Sequence, residues 1–147
     1  MAQLDDRELA TQLFNRCWEL LESTRNPDDD VELLTAAFSS RFHWLSVGTT
    51  EQWIVSDWMV ARAAAATGDA TLAVRFAERA HSAAQENEVP DWLVASTAEG
   101  VARAYAVGGD VEAFNNWSAL AARLVEVIAD PEDKTLIASQ LSEIQAP

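Results

Sequence analysis

A block of ten residues, Val60-Ala61-Arg62-Ala63-Ala64-Ala65-Ala66-Thr67-Gly68-Asp69, returns 41 positions later as Val101-Ala102-Arg103-Ala104-Tyr105-Ala106-Val107-Gly108-Gly109-Asp110. Self-similarity at a spacing of this size marks units that cannot bury their apolar face alone and must stack on copies of themselves. Residues 56–90 align without a gap on residues 97–131, with Val60, Ala61, Arg62, Ala63, Ala65, Gly68, Asp69, Ala80 and Pro90 identical. Alanine richness would supply some of these matches, but not the Arg, the Gly-Asp pair and the Pro together.

Each unit reads as a helix, a tight connection, a second helix and a stop. Gly68 and Gly109 suit the left-handed position that ends a helix, and Asp69 and Asp110 can accept the free N–H groups that open the next. Pro90 and Pro131 mark the following boundary. Moved upstream by one period, the frame sets Pro27-Asp28 on Gly68-Asp69. There identity is confined to Asp28 and Ala36, and pattern carries the reading: Leu9, Leu13, Cys17, Leu20 and Leu21 form a stripe, and Val31, Leu34, Phe38 and Phe42 begin another. The sequence thus predicts an all-α chain of about seven helices, near 4–25, 28–45, 50–67, 70–87, 91–107, 111–129 and 131–144. They group into units of about 4–47, 50–89 and 91–130, closed by a capping helix over 131–145 with Ile137, Leu141 and Ile144 on one side. Thr49 and Gln52 have the spacing of a capping box.

The second unit offers Val60-Ala61, Ala64, Gly68-Asp69, Ala73, Ala77, Ala80 and Pro90, and the third offers Val101-Ala102, Tyr105, Gly109-Asp110, Phe114, Ala121 and Pro131. This pattern resembles the tetratricopeptide repeat family, and the chain is similar to stand-alone bacterial helical-repeat proteins of this size. It departs from the family in a period of 41 rather than about 34, in Asp57 and Ala98 at the usual Trp slot, and in Ala64 at one Tyr slot. The resemblance implies a right-handed superhelix of antiparallel helix pairs, a TPR-like α-α solenoid. It also implies a concave groove lined by Val55, Trp58, Arg62, Ala65, Ser96, Glu99, Arg103 and Ala106, which would bind a protein or peptide; the alternative for the arginine row is structural, with Glu99 pairing with Arg62 across adjacent helices to lock the stack and the Arg stems covering alanine surface.

The polar inventory argues against catalysis. His43, beside Trp44 near the end of the second helix, is placed to satisfy free carbonyls. His81 completes Glu78-x-x-His81, a half of the di-iron pattern of helical bundles, but Ala119 and Ala122 stand one period on, so it reads as a coincidence on an exposed helix. Asp28-Asp29-Asp30 suits a helix start better than a metal. Cys17 stands alone on an apolar stripe and reads as core. No catalytic residue, metal or cofactor is expected.

A formal charge of −14 argues against nucleic acid, and the absence of a signal peptide or long apolar run fits a cytoplasmic chain that does not enter a membrane. The function expected is that of a non-enzymatic, protein- or peptide-binding adaptor or scaffold. The alternative is a small-molecule sensor or enzyme with an aromatic and arginine pocket around Trp58, Arg62, Glu99 and Arg103. Six tryptophans complete the picture. Trp117 is expected in an interior slot one period after Phe76, and Trp53 and Trp92 are placed to staple incoming loops.

Overall fold

The computed structural model describes residues 4–147, and about 81% of these described residues are helical. Seven helices run in order: α1 (Asp6–Leu21), α2 (Pro27–Val47), α3 (Thr50–Ala66), α4 (Ala70–Glu86), α5 (Asp91–Gly108), α6 (Val111–Glu126) and α7 (Pro131–Ser142). No helix among the described residues is long and apolar enough to cross a membrane.

The internal duplication is written into the turns. Gly68 and Gly109 take φ of 83° and 75°, the left-handed region that L side chains rarely adopt. In one unit the Asp69 N–H donates to the Ala64 carbonyl at 2.9 Å; 41 residues on, the Asp110 N–H donates to the Tyr105 carbonyl at 3.1 Å. Asp69 then accepts from Leu72 N–H, and Asp110 from Ala113 N–H, each at 3.0 Å. Both turns therefore close one helix and open the next with the same four groups.

The first unit slips against this frame. Its second helix is capped by Asn26, not Asp28, with Asn26 Oδ1 accepting from Asp29 N–H at 2.9 Å and Asp29 returning the bond to Asn26 N–H at 3.0 Å. Caps at 26, 69 and 110 are 43 and 41 residues apart. Pro27 causes the slip. It excludes the residue before it from the helical region, so Asn26 is extended and α2 begins at Pro27. Helix α1 stops at Leu21, short of the expected 25, with Glu22 as its C-cap.

Helices α1 and α2, α3 and α4, and α5 and α6 pack as consecutive pairs, and α2 packs on α3 as α4 does on α5. The odd-numbered helices also approach backbone to backbone in series, α1 on α3, α3 on α5 and α5 on α7, whereas α2, α4 and α6 meet only through large side chains, Phe38 against Phe76 and His81 against Trp117. One layer is thus drawn together and the other splayed, which curves this solenoid-like stack with the odd helices inside. Ala63, Ala64, Ala98, Ala102 and Ala104 are fully buried, and side chains this small let α3 and α5 approach closely.

Three buried clusters follow the stack. Leu20, Leu33, Met59 and Leu93 anchor the first with Cys17, whose thiol is pushed up to about 12 by burial. Alanines of α3 and α4 with Val101 form the second, and Ala95, Val125, Ile128 and Ile137 the third. Ile137 holds α7 onto α5 and α6 as expected of a cap. Leu141 and Ile144 are half-buried, and Ile144 lies beyond the helix end at Ser142. Asp57, nearly buried, receives Arg41 Nε at 2.6 Å and Arg79 Nε at 2.8 Å, tying α2, α3 and α4 by one carboxylate.

Two histidines depart from expectation. His43 does not serve helix-end carbonyls: its Nδ1 lies 2.7 Å from Asp6 Oδ1. The carbonyls closing α2 are taken instead by Arg7, which donates to Val47 at 3.1 Å, and by the Trp53 indole, which donates to Trp44 at 2.9 Å. Trp53 therefore does staple its loop. His81 is not on an exposed face but buried, 5.0 Å from the Trp117 ring in an edge-to-face pair. Glu78 points elsewhere and accepts from the Tyr105 hydroxyl.

The Thr97 hydroxyl donates to the Val94 carbonyl, so its oxygen accepts from His81 Nδ1–H at 3.0 Å and leaves the ring neutral with Nε2 enclosed and unpartnered. Burial depresses the His81 pKa below 6.5. The unfolded chain then binds a proton at a pH where the folded chain does not. This contribution to stability is present above the unfolded value and is lost as pH falls through the folded one. From about pH 7 to about pH 5 the urea midpoint of the wild type should fall, and His81→Leu should show a shallower fall over that range. Equal slopes in the two proteins would show that another group governs acid sensitivity.

Candidate functional site

The inner face of the stack is a trough. Its floor is α3 and α5, its walls are α1 and α7, and the backbones of the two walls do not approach each other closely. Most of the floor comes from the duplicated helices. Residues 55, 58, 62 and 65 recur at three- and four-residue spacing on α3, as do 96, 99, 103 and 106 on α5, which brings each set onto one side of its helix.

At one end lies a hollow of about 200 Å³ lined mainly by apolar side chains: Phe14 and Trp18 from α1, Val55 and Trp58 from α3, Trp92, Leu93 and Ser96 from α5, and Leu136 and Ile137 from α7, with Asp133 and Gln140 of α7 as further polar lining. Trp58 is only 7% exposed, yet its edge faces this hollow. Its ring centroid is 5.9 Å from that of Trp18. Gly100 makes room for it, since a Cβ there would sit 3.1 Å from Trp58 Cδ1.

A second, wider opening of about 580 Å³ shares Trp18, Leu136 and Gln140 with the first and adds Glu22, Arg62 and Glu143. A third recess of about 220 Å³ shares Leu21 and Arg62 with the second and is lined by Arg25, Ala65, Ala66, Arg103 and Val107. The trough therefore runs from three tryptophan rings to three guanidinium groups.

Glu99 lies under this floor, fully buried. Its Oε1 accepts from Arg103 Nε at 2.9 Å and from Arg103 Nη2 at 2.5 Å, while Arg62 Nη1 stands 3.8 Å away, too far for a hydrogen bond. Glu99 Oε2 and Arg62 Nη1 are both buried without a partner. Burial foremost, and then the positive charge of Arg103, lower the pKa of Arg62; Glu99 and Glu143 oppose this. A guanidinium stays charged even so. Arg103 Nη2 also donates to the Gln140 carbonyl at 2.9 Å, satisfying an open carbonyl in the last turn of α7 and fixing that wall to the floor.

Of the residues expected on the inner face, Val55, Trp58 and Ser96 meet at the apolar end, and Arg62, Ala65 and Arg103 at the polar end. Glu99 sits beneath them. Ala106, half-buried, lines none of these three openings. Sequence reasoning left out the walls: Phe14, Trp18, Arg25, Leu136 and Gln140. Trp18 had a detectable signal, an aromatic on an otherwise aliphatic stripe, and so did Leu136, an apolar residue beside the buried line of α7.

Chemically, the site can hold an apolar group at one end and an anion at the other. Glu99 is sealed from solvent and engaged by Arg103, which leaves it badly placed to carry protons to or from a substrate. Compared with protein-family models, with curated proteins and with solved structures, the chain matches none.

Proposed function

We propose that this chain is a non-catalytic binding module that holds a peptide segment of a partner protein in the trough between α1 and α7. The observation that carries the reading is the continuity of the three openings, from a tryptophan-lined hollow to an arginine-lined recess. Aromatic side chains and Arg in a concave, partly desolvated setting are the usual anchors of recognition. The net charge of −14 disfavours nucleic acid. Glu99, the carboxylate of the floor, is sealed and held by Arg103, which favours binding over the sensor-or-enzyme alternative built on that residue.

Selection from a displayed random-peptide library on the immobilised protein tests this. Ser96→Phe pushes a ring into the apolar hollow and serves as the blocked control. Enriched peptides should bind the wild type at least about tenfold more tightly than the variant, the loss expected for one anchor. Peptides that bind both proteins alike, or a library that never enriches, would defeat the reading.

A further inference from the structure

The chain carries ten Lys and Arg residues, and three of them, Arg25, Arg62 and Arg103, line a single recess of about 220 Å³ to which no acidic side chain contributes lining. Their hydrogen bonds are unequally met. Arg25 donates to Asp30 at 2.8 Å, to the Leu20 carbonyl at 3.2 Å and to the Ala66 carbonyl at 3.1 Å. Arg103 is held by Glu99 and by the Gln140 carbonyl. Arg62 makes no hydrogen bond to any described residue, although its side chain is only 14% exposed.

Within 4 Å the three guanidinium groups share two carboxylates, Asp30 and Glu99, so one of them, Arg62, is left without a hydrogen-bonded carboxylate, and Glu143 acts on it only from farther off. Arg62 is stabilised in part by lying 5.6 Å from the Trp18 ring and 6.0 Å from the Trp58 ring. Stacking does not satisfy its N–H donors, and an enclosed donor without an acceptor is costly. The guanidinium so left carries a single charge, and Glu22 and Glu143 flank the approach, so a monoanion suits the site better than a dianion. A carboxylate matches the planar fork of a guanidinium. Across the wider opening that Arg62 also lines, the hollow of about 200 Å³ has room for one ring or branched chain, since an apolar cavity of about 150 Å³ accepts benzene.

We propose that Arg62 is the anchor of a site for an amphipathic monocarboxylate, whose carboxylate enters the arginine recess and whose single aromatic or branched aliphatic group fills the hollow between Trp18, Trp58 and Trp92. Two sources present this chemistry: the free C-terminal residue of a peptide, and a small free acid. The first rests on the peptide reading above and the second does not.

The test uses the full chain, with intrinsic tryptophan fluorescence and thermal shift as readouts. The probes are 3-phenylpropionate, its neutral amide 3-phenylpropionamide, and a short peptide ending in Phe with either a free or an amidated C-terminus. The acid form from at least one source should bind about 10- to 100-fold more tightly than its amide, the range for a charged hydrogen bond. Arg62→Gln should remove that preference while leaving the melting temperature near that of the wild type, with Arg62→Met as a second variant should Gln disturb folding. Binding of the peptide acid alone assigns the site to a chain end. Binding of phenylpropionate alone assigns it to a small acid and upholds the anchor while counting against the peptide reading. Selected peptides that bind in the trough regardless of amidation, with no response to phenylpropionate, would overturn the monocarboxylate site and leave the peptide reading standing. Equal binding of acid and amide, or of wild type and both Arg62 variants, overturns it as well.

Discussion

Glu99→Ala should lower the free energy of unfolding by about 3–5 kcal/mol, the cost of deleting one partner of a buried ion pair. Glu99 is the carboxylate within 4 Å of both Arg62 and Arg103, and Glu143 acts on Arg62 only from farther off: the variant leaves two enclosed guanidinium groups near each other, and Arg103 keeps only the Gln140 carbonyl. Arg62→Ala should cost about 1 kcal/mol or less, because Arg62 contributes stacking and no hydrogen bond. The double variant should be less damaged than the sum of the two, since removing Arg62 also removes the repulsion that loss of Glu99 exposes. Urea denaturation of the four proteins measures all three quantities. A Glu99→Ala protein within about 1 kcal/mol of the wild type would mean that the site relaxes or admits water, and the account of the floor given above would be wrong.

Removing residues 131–147 should be comparably severe. Ile137 is 2% exposed among Ala95, Val125 and Ile128, and loss of a buried aliphatic side chain of this size alone costs about 2–5 kcal/mol. The deletion also bares the apolar sides of α5 and α6 that α7 covers and strips Arg103 of its carbonyl partner. A lower melting temperature and self-association by light scattering are expected, because a solenoid without its end cap presents a sticky face. A truncated protein that stays monomeric and melts like the full chain would show that α7 is an accessory rather than a cap.

What could be read in advance divides along physical lines. Gly68-Asp69 and Gly109-Asp110 announce their turns because left-handed backbone and N-cap chemistry are local and residue-specific. The seven helices follow from those stops and from apolar periodicity, with errors at the ends where Asn26 competed with Asp28 for a cap. The floor was legible through the period itself, which sets Arg62 and Arg103 in equivalent places. What Arg103 does with its place was not, because the Gln140 carbonyl belongs to a helix outside the repeat. The wall residues Trp18 and Leu136 were unreadable as partners for a similar reason: they line the same openings from opposite ends of the chain, and no spacing along the chain encodes that. His81 was misplaced because its burial depends on Trp117 and Thr97 from the next unit, and a single helix pattern cannot report its neighbour.

The two walls of the trough are also the two ends of the stack. In a solenoid, stability passes between neighbours, so end helices, with a neighbour on one side only, open most readily. Here α1 is held by α2 and α3, and α7 by α5 and α6, with no close backbone approach between α1 and α7. A molecule gripped by Trp18 on one side and Leu136 on the other would join the ends and turn an open row into a closed circuit. Each extremity would then gain a second support. Occupancy would be felt first as slower amide exchange at both extremities together, residues far apart in the chain made to breathe as one.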